Sequence, residues 1–178
     1  QGDAYPRELI LYKSENLLDK GSGQGDLSEK AIIKYPGAIG ENQTGSSTGG
    51  LEISNTSYLV AGNSVIQDEK NLERETRNIF VASVSQDLKQ TEMNWLTSYQ
   101  EGDGTVTTPH MVKLSDEKFM VLWSRGDAVY YTLVDGEGKK ISEIYHHTGH
   151  LSDCRPVLEN GNIYWYTVNG VSMNFYTI

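Results

Sequence analysis

Thr108-Pro-His-Met-Val-Lys-Leu-Ser-Asp-Glu-Lys-Phe-Met-Val-Leu-Trp-Ser124 reads as an antiparallel hairpin: one strand, a tight polar turn at Ser115 to Glu117, and a second strand of alternating character. Cys154-Arg-Pro-Val-Leu-Glu-Asn-Gly-Asn-Ile-Tyr-Trp-Tyr166 repeats the plan, with a proline at the strand start, a turn at Glu159 to Asn162 and an aromatic second strand. Pro109 and Pro156 lie about 47 positions apart and Phe119 and Ile163 about 44, the spacing of a blade-sized repeat.

Working outward, the strand after each hairpin also recurs. Val129-Tyr-Tyr-Thr-Leu-Val-Asp135 matches Met173-Asn-Phe-Tyr-Thr-Ile178 downstream and Ile79-Phe-Val-Ala-Ser-Val-Ser85 upstream. A fourth strand follows a turn, at Met93 to Tyr99 and at Glu143 to His147. Weaker copies lie earlier: Gly50 to Ala61 repeats the first hairpin, while Leu9-Ile-Leu-Tyr12 and Ala31-Ile-Ile-Lys-Tyr35 repeat the third and fourth strands. The longest connections, Gln100 to Thr107 and Thr148 to Asp153, follow the fourth strand, and short turns join the rest. That pattern predicts an all-β, β-propeller-like chain of four-stranded antiparallel blades, about three in number, because radial repetition protects strand edges.

The expected boundaries are one domain, 1–178, with blades at 5–36 (partial), 48–99, 107–147 and 154–178 (partial). The charged stretch Gln67 to Arg77 reads as a solvated loop with room for a helical turn, and Gly21 to Gly25 and Gly37 to Gly50 read as loops. About thirteen strands is too few for a closed ring, since propellers have about four to eight blades. The expectation is therefore a part of a larger propeller, partnered by the rest of that chain or by a second copy of itself.

Composition narrows the function. The 178 residues hold 15 Lys plus Arg against 24 Asp plus Glu, a net charge of -9, which argues against nucleic acid as a partner. No apolar run is long enough to span a membrane. Cys154 is the one cysteine, so neither an internal disulfide nor a multi-cysteine zinc site is available. Eighteen glycines and eleven tyrosines in short runs fit a turn-rich β protein.

The hairpin Pro109 to Trp123 resembles the first two strands of a sialidase-type propeller blade. The turn Ser85-Gln-Asp-Leu-Lys-Gln-Thr91, followed by Trp95, is similar to a degenerate Asp-box, the Ser-x-Asp-x-Gly-x-Thr-Trp turn between third and fourth strands. Leu88 or Lys89 stands where the family has glycine, and the tryptophan comes late. Asp135-Gly-Glu-Gly-Lys139 keeps glycines but lacks the serine. The chain also resembles propeller-like repeat regions of large secreted or surface proteins of Gram-positive bacteria, in which a segment similar to Gly149-His-Leu-Ser-Asp-Cys-Arg-Pro156 precedes an aromatic hairpin. This second likeness concerns architecture. Together they imply a secreted or cell-surface bacterial location.

The densest polar cluster is His146-His147-Thr-Gly-His150-Leu-Ser-Asp153-Cys154-Arg155. A metal site is disfavoured, because adjacent strand residues His146 and His147 point to opposite faces. The preferred reading is a blade crossover in which Asp153 caps backbone N–H groups. Cys154 reads as a small buried apolar residue rather than a nucleophile. The sialidase likeness would imply an arginine cluster and a Tyr–Glu pair; Arg125 and Arg155 are the usable arginines, with Arg74 and Arg77 in the charged stretch and Arg7 near the N-terminus. Trp123, Trp165, Tyr130, Tyr131, Tyr164 and Tyr166 could stack sugars, but packing between sheets is the stronger reading. Gly102-Asp-Gly104 and Gly136-Glu-Gly138 supply too few oxygens for calcium and read as hairpin turns. Asn42-Gln-Thr44 and Asn55-Thr-Ser57 match the glycosylation sequon, which matters only in a eukaryotic secretory host.

The expectation is a non-catalytic binding or scaffolding propeller module with a glycan or protein ligand and no cofactor, metal or catalytic residue. Its candidate ligand contacts are Arg125, Asp127, His147, His150, Asp153 and Arg155. The alternative is part of a sialidase-like glycoside hydrolase propeller.

Overall fold

The computed structural model describes residues 8–15, 26–34, 46–65, 76–169 and 172–178, and every regular element among them is a β-strand. β1 (Glu8–Glu15) and β2 (Asp26–Lys34) form an antiparallel pair. β3 (Ser47–Ile53), β4 (Ser57–Ser64), β5 (Asn78–Ser85) and β6 (Thr91–Trp95) form a four-stranded antiparallel sheet in chain order. A second one follows from β7 (His110–Ser115), β8 (Lys118–Arg125), β9 (Ala128–Asp135) and β10 (Tyr145–Thr148). β11 (Val157–Glu159), β12 (Asn162–Asn169) and β13 (Ser172–Thr177) form a three-stranded sheet. The chain is thus all-β, built of antiparallel sheets of two to four strands.

Local chemistry sets the hairpins. Asn160 and Gly161 both have positive φ, 52° and 81°, as a two-residue hairpin loop with the strands' own twist requires. Gly102-Asp-Gly104 lies in the connection between β6 and β7 rather than in a hairpin; there Asp103 N–H donates to the Gln100 carbonyl, 3.0 Å.

Two fourth strands are displaced from their expected ranges, and side chains are the reason. β6 stops at Trp95, not Tyr99, because the Thr97 hydroxyl accepts the Ile79 N–H (2.9 Å) and the Asn78 amide oxygen accepts the Tyr99 N–H. β10 starts at Tyr145 because the Ser142 hydroxyl takes the Leu133 N–H at 2.9 Å in place of a ladder carbonyl. The charged stretch, apart from Thr76 and Arg77 at its end, lies outside the described residues, as do Gly21 to Gly25, residues 37–45 of the glycine-rich loop, Arg7, Arg74 and the Asn42 sequon.

Consecutive sheets pack face to face. Alternation along β8 sends Phe119, Val121 and Trp123 into a core shared with Leu59, Ala61, Ile79 and Val81 of the preceding sheet. Leu122, on the opposite face, joins Val112, Val129, Ile163 and Trp165 in a second core with the following sheet. Burying a side chain as completely as Phe119 contributes about 1.5–3 kcal/mol. The first strands meet edge by edge, β3 against β7 and β7 against β11. β3 and β7 run in the same direction: Gly49 abuts Pro109, Gly50 abuts Met111, and Lys113 Nζ donates to the Ile53 carbonyl at 2.7 Å. The β9–β10 turn docks on the preceding sheet, where Ser54 Oγ donates to the Gly136 carbonyl (2.8 Å) and Asn94 Nδ2 to that of Glu137 (3.0 Å). The β1–β2 pair is tied to the β5–β6 turn of that sheet, with Lys13 and Lys30 donating to the Gln86 and Lys89 carbonyls (3.4 and 3.1 Å).

Candidate functional site

β8 and β9 are joined by Gly126 and Asp127, and the polar groups of interest gather around that turn. Strand alternation puts Trp123 and Arg125 on one face, and register sets Tyr130 opposite Trp123 and His146 opposite Tyr130. The result is a ladder of rings: Trp123 stacks on Tyr130 with centroids 6.0 Å apart, and Tyr130 on His146 at 5.4 Å. The Arg125 guanidinium sits 4.2 Å from the Tyr99 ring centroid and 5.1 Å from that of Tyr130. It also donates to the Tyr130 hydroxyl (3.3 Å) and lies 3.9 Å from the Asp103 carboxylate. The Tyr99 hydroxyl accepts the indole N–H of fully buried Trp123 at 3.1 Å. Burial raises the Tyr99 phenol above its usual 10.0, against the opposing pull of the Trp123 N–H and the Arg125 charge.

Beside this shelf the crossover after β10 is pinned to the same turn. The Asp127 carbonyl accepts the Gly149 N–H (3.0 Å), the Ser124 hydroxyl accepts the Leu151 N–H (2.8 Å), and the His150 carbonyl accepts the Trp165 indole N–H (2.9 Å). These bonds bring the exposed His150 ring within 3.8 Å of the exposed Asp127 carboxylate. A cation, a ladder of stacked rings and an acid–imidazole pair therefore share one end of the β7–β10 sheet.

The other candidate residues sit elsewhere. His147 is half-buried, wedged between the rings of Tyr131 and Trp165, so it braces two sheets; the exposed histidine of the pair is His146. Asp153 is exposed, and the turn it is expected to cap is closed instead by Ser152, whose hydroxyl accepts the Cys154 N–H at 3.3 Å. Cys154 is exposed rather than buried, with Sγ 3.0 Å from the Tyr166 hydroxyl, and the buried residue at the entry to β11 is Pro156. Arg155 reaches across to pair with Glu52 of β3, over a groove lined by Val112, Lys113 and Val157. Arg125 and Arg155 are thus held by separate partners, Asp103 in the β6–β7 connection and Glu52 in β3. His146 and His147 diverge as adjacent strand residues must, and among the described residues no group of three or more His, Cys, Asp or Glu could hold a metal. Nor, among them, is any helix long and apolar enough to cross a membrane.

Nothing in the sequence marks Tyr99, Asp103 or Glu52 as the partner of an arginine. Each reaches its arginine from a distant strand or loop, and no local pattern announces such a contact.

The turn from Ser85 to Thr91 has a defined internal network. Ser85 Oγ donates to the Asp87 carboxylate (2.6 Å) and accepts the Gln90 N–H (2.9 Å), while Asp87 also accepts the Lys89 N–H (3.1 Å). These bonds, the Ser85 hydroxyl first, hold the Asp87 carboxyl at about 2, below its usual 3.8. In the corresponding turn Asp135 accepts the N–H groups of Glu137 and Lys139, each at 2.9 Å, and so does from its own side chain what Ser85 and Asp87 do together. No protein-family model matches the chain, and no curated protein or solved structure matches it either.

Proposed function

We propose that the chain is a non-catalytic binding or scaffolding module with the radial architecture of a β-propeller, belonging to a secreted or cell-surface bacterial protein. The observation that carries the architecture is the file of first strands: β3, β7 and β11 lie side by side while their sheets stack face to face. Binding is assigned to the end of the β7–β10 sheet. There the exposed Asp127 and His150 supply hydrogen bonds, and the exposed His146 ring, backed by Tyr130, offers a flat face of the kind on which a sugar or a peptide side chain stacks. Asp153 lies exposed on the same crossover. Retention on glycan and peptide arrays tests the reading. Binding that falls at least tenfold in Asp127→Ala and His150→Ala supports it, and an array with no retained ligand counts against it.

A sialidase-like glycoside hydrolase is the second reading, favoured by the Ser85 to Thr91 turn. It requires Arg125 and Arg155 to serve one substrate carboxylate, whereas each already has its own acidic partner, Asp103 and Glu52. Turnover of a fluorogenic sialoside that is lost in Arg155→Ala would establish this reading in place of the first.

A further inference from the structure

The face of the β3–β6 sheet that meets the β7–β10 sheet changes character along its length. Toward one end it carries Leu59, Ala61, Ile79 and Val81, all part of the shared core. Toward the β3–β4 and β5–β6 turns the same face carries Ser57, Ser83, Ser85 and Glu92, because Ser83 is registered between Leu59 and Glu92, and Ser57 lies opposite Ser85. The β9–β10 turn crosses this face, tied at Ser54 and at Asn94. Its Glu137 forms one side of a cleft of about 620 Å³, whose other lining residues include Ser57, Ser83, Ser85, Gln90 and Glu92. That size suits a small molecule, for which clefts run to about 300–1,000 Å³.

Two hydroxyls in this cleft are buried without being used. Ser83 is 7% exposed and Ser57 6%. Among the described residues the Ser83 hydroxyl has no hydrogen-bond partner, and that of Ser57 meets only the adjacent Thr56 hydroxyl, 3.5 Å away. A buried hydroxyl without a partner costs free energy that an alanine in its place would not. The fold gains nothing from the Ser83 oxygen, so its place is explained by a group that enters the cleft and bonds to it.

The remaining groups narrow what enters. The Glu92 and Glu137 carboxylates both pair with Lys139 Nζ, at 3.8 and 4.0 Å, so an ammonium already serves them. An anion would face both carboxylates, and among the described residues no group of three or more His, Cys, Asp or Glu offers a metal its ligands. No aromatic ring is among the described residues that line the cleft, so a ligand is not stacked there. What the cleft presents is hydroxyls, which donate and accept, beside carboxylates and an amide. Ligand hydroxyls match that set, since each can accept from a serine and donate to a carboxylate. We propose that this cleft binds a neutral saccharide by its hydroxyl edge, through Ser57, Ser83 and Glu92. It is a site apart from the Asp127–His150 pair, which lies at the other end of β9.

Heteronuclear NMR on the full chain, titrated with maltose, cellobiose, lactose and chitobiose at millimolar concentration, tests it. At least one of these probes shifts the Ser83, Glu92 and Glu137 amides, whereas inorganic phosphate and calcium leave them in place. Ser83→Ala weakens that binding about two- to tenfold, the share of one hydrogen bond. Glu92→Gln, which removes the charge of an acceptor, weakens it at least as much. The Ser83→Ala chain melts at or above the wild-type temperature, because no hydrogen bond within the fold is lost; a serine serving the fold would lower it. Asp127→Ala leaves the shifts unchanged, so array retention that depends on Asp127 and His150 stands or falls separately. Probes that move none of the three amides overturn the proposal. So do equal shifts with phosphate or calcium, binding unaltered by Ser83→Ala, or a Ser83→Ala chain that melts below wild type.

Discussion

Gly50 in β3 lies so close to Met111 in β7 that a Cβ on the glycine would stand 2.6 Å from the methionine Cβ and 2.9 Å from its backbone nitrogen. The atoms it would meet are near the main chain and cannot swing away. The approach of the two first strands therefore depends on a missing side chain, and this fixes how the two four-stranded sheets lean on each other.

Gly50→Ala is expected to destabilise the fold by about 1–3 kcal/mol, the usual cost of overpacking a filled interior. Thermal unfolding followed by circular dichroism measures it. A melting temperature equal to wild type would show that the strands can separate at no cost.

Leu88 adopts φ 60°, the left-handed region, where Gly138 stands in the corresponding turn with φ 78°. A branched side chain there costs about 1–2 kcal/mol, of which glycine's greater freedom in the unfolded chain returns part. Leu88→Gly should stabilise the protein by about 0.5–1 kcal/mol in urea unfolding. Gly138→Ala should do the reverse and more, because its Cβ would also lie 2.7 Å from Val81 Cγ1.

Asp87 has its folded carboxyl at about 2 against an ordinary 3.8. Its contribution to stability is fully present above the ordinary value and is lost as pH falls through about 2. An NMR titration should place the Asp87 carboxyl midpoint near 2 and move it upward in Ser85→Ala, which removes the largest cause. A midpoint unchanged by that substitution would contradict the hydrogen-bond account.

Tyr99→Phe removes the acceptor for the Trp123 indole N–H while keeping the ring under Arg125. A buried donor left unpaired costs about 1–3 kcal/mol. Chemical denaturation compared with wild type reads that loss, and tryptophan fluorescence reports the changed surroundings of Trp123.

Much of the strand order could be read from residue order. Alternation in Phe119-Met-Val-Leu-Trp123 and in Ile163-Tyr-Trp-Tyr166 specifies strands with two distinct faces, and Asn160-Gly161 specifies a turn, because period and φ preference are local properties. The ends of β6 and β10 were less legible: Thr97 and Ser142 accept N–H groups of the neighbouring strand, from Ile79 and Leu133, in place of ladder carbonyls. Among the candidate contacts, Asp127 and His150 do come together. His147, at the end of an expected strand, and Arg155, after the crossover, stand out in the sequence by their polarity, yet one is wedged between aromatic rings and the other is paired with Glu52.

By itself the sequence determined that the chain forms short strands in antiparallel hairpins, that its composition is acidic, and that its strands have two distinct faces. These follow from period, turn residues and composition. Only the tertiary structure decided which sheets share a core, that Arg125 is enclosed by Tyr99, Tyr130 and Asp103, and that Arg155 pairs with Glu52. Most of those relations join residues tens of positions apart, and the free energy that selects among such pairings is shared over a whole packed interface rather than written in any one segment.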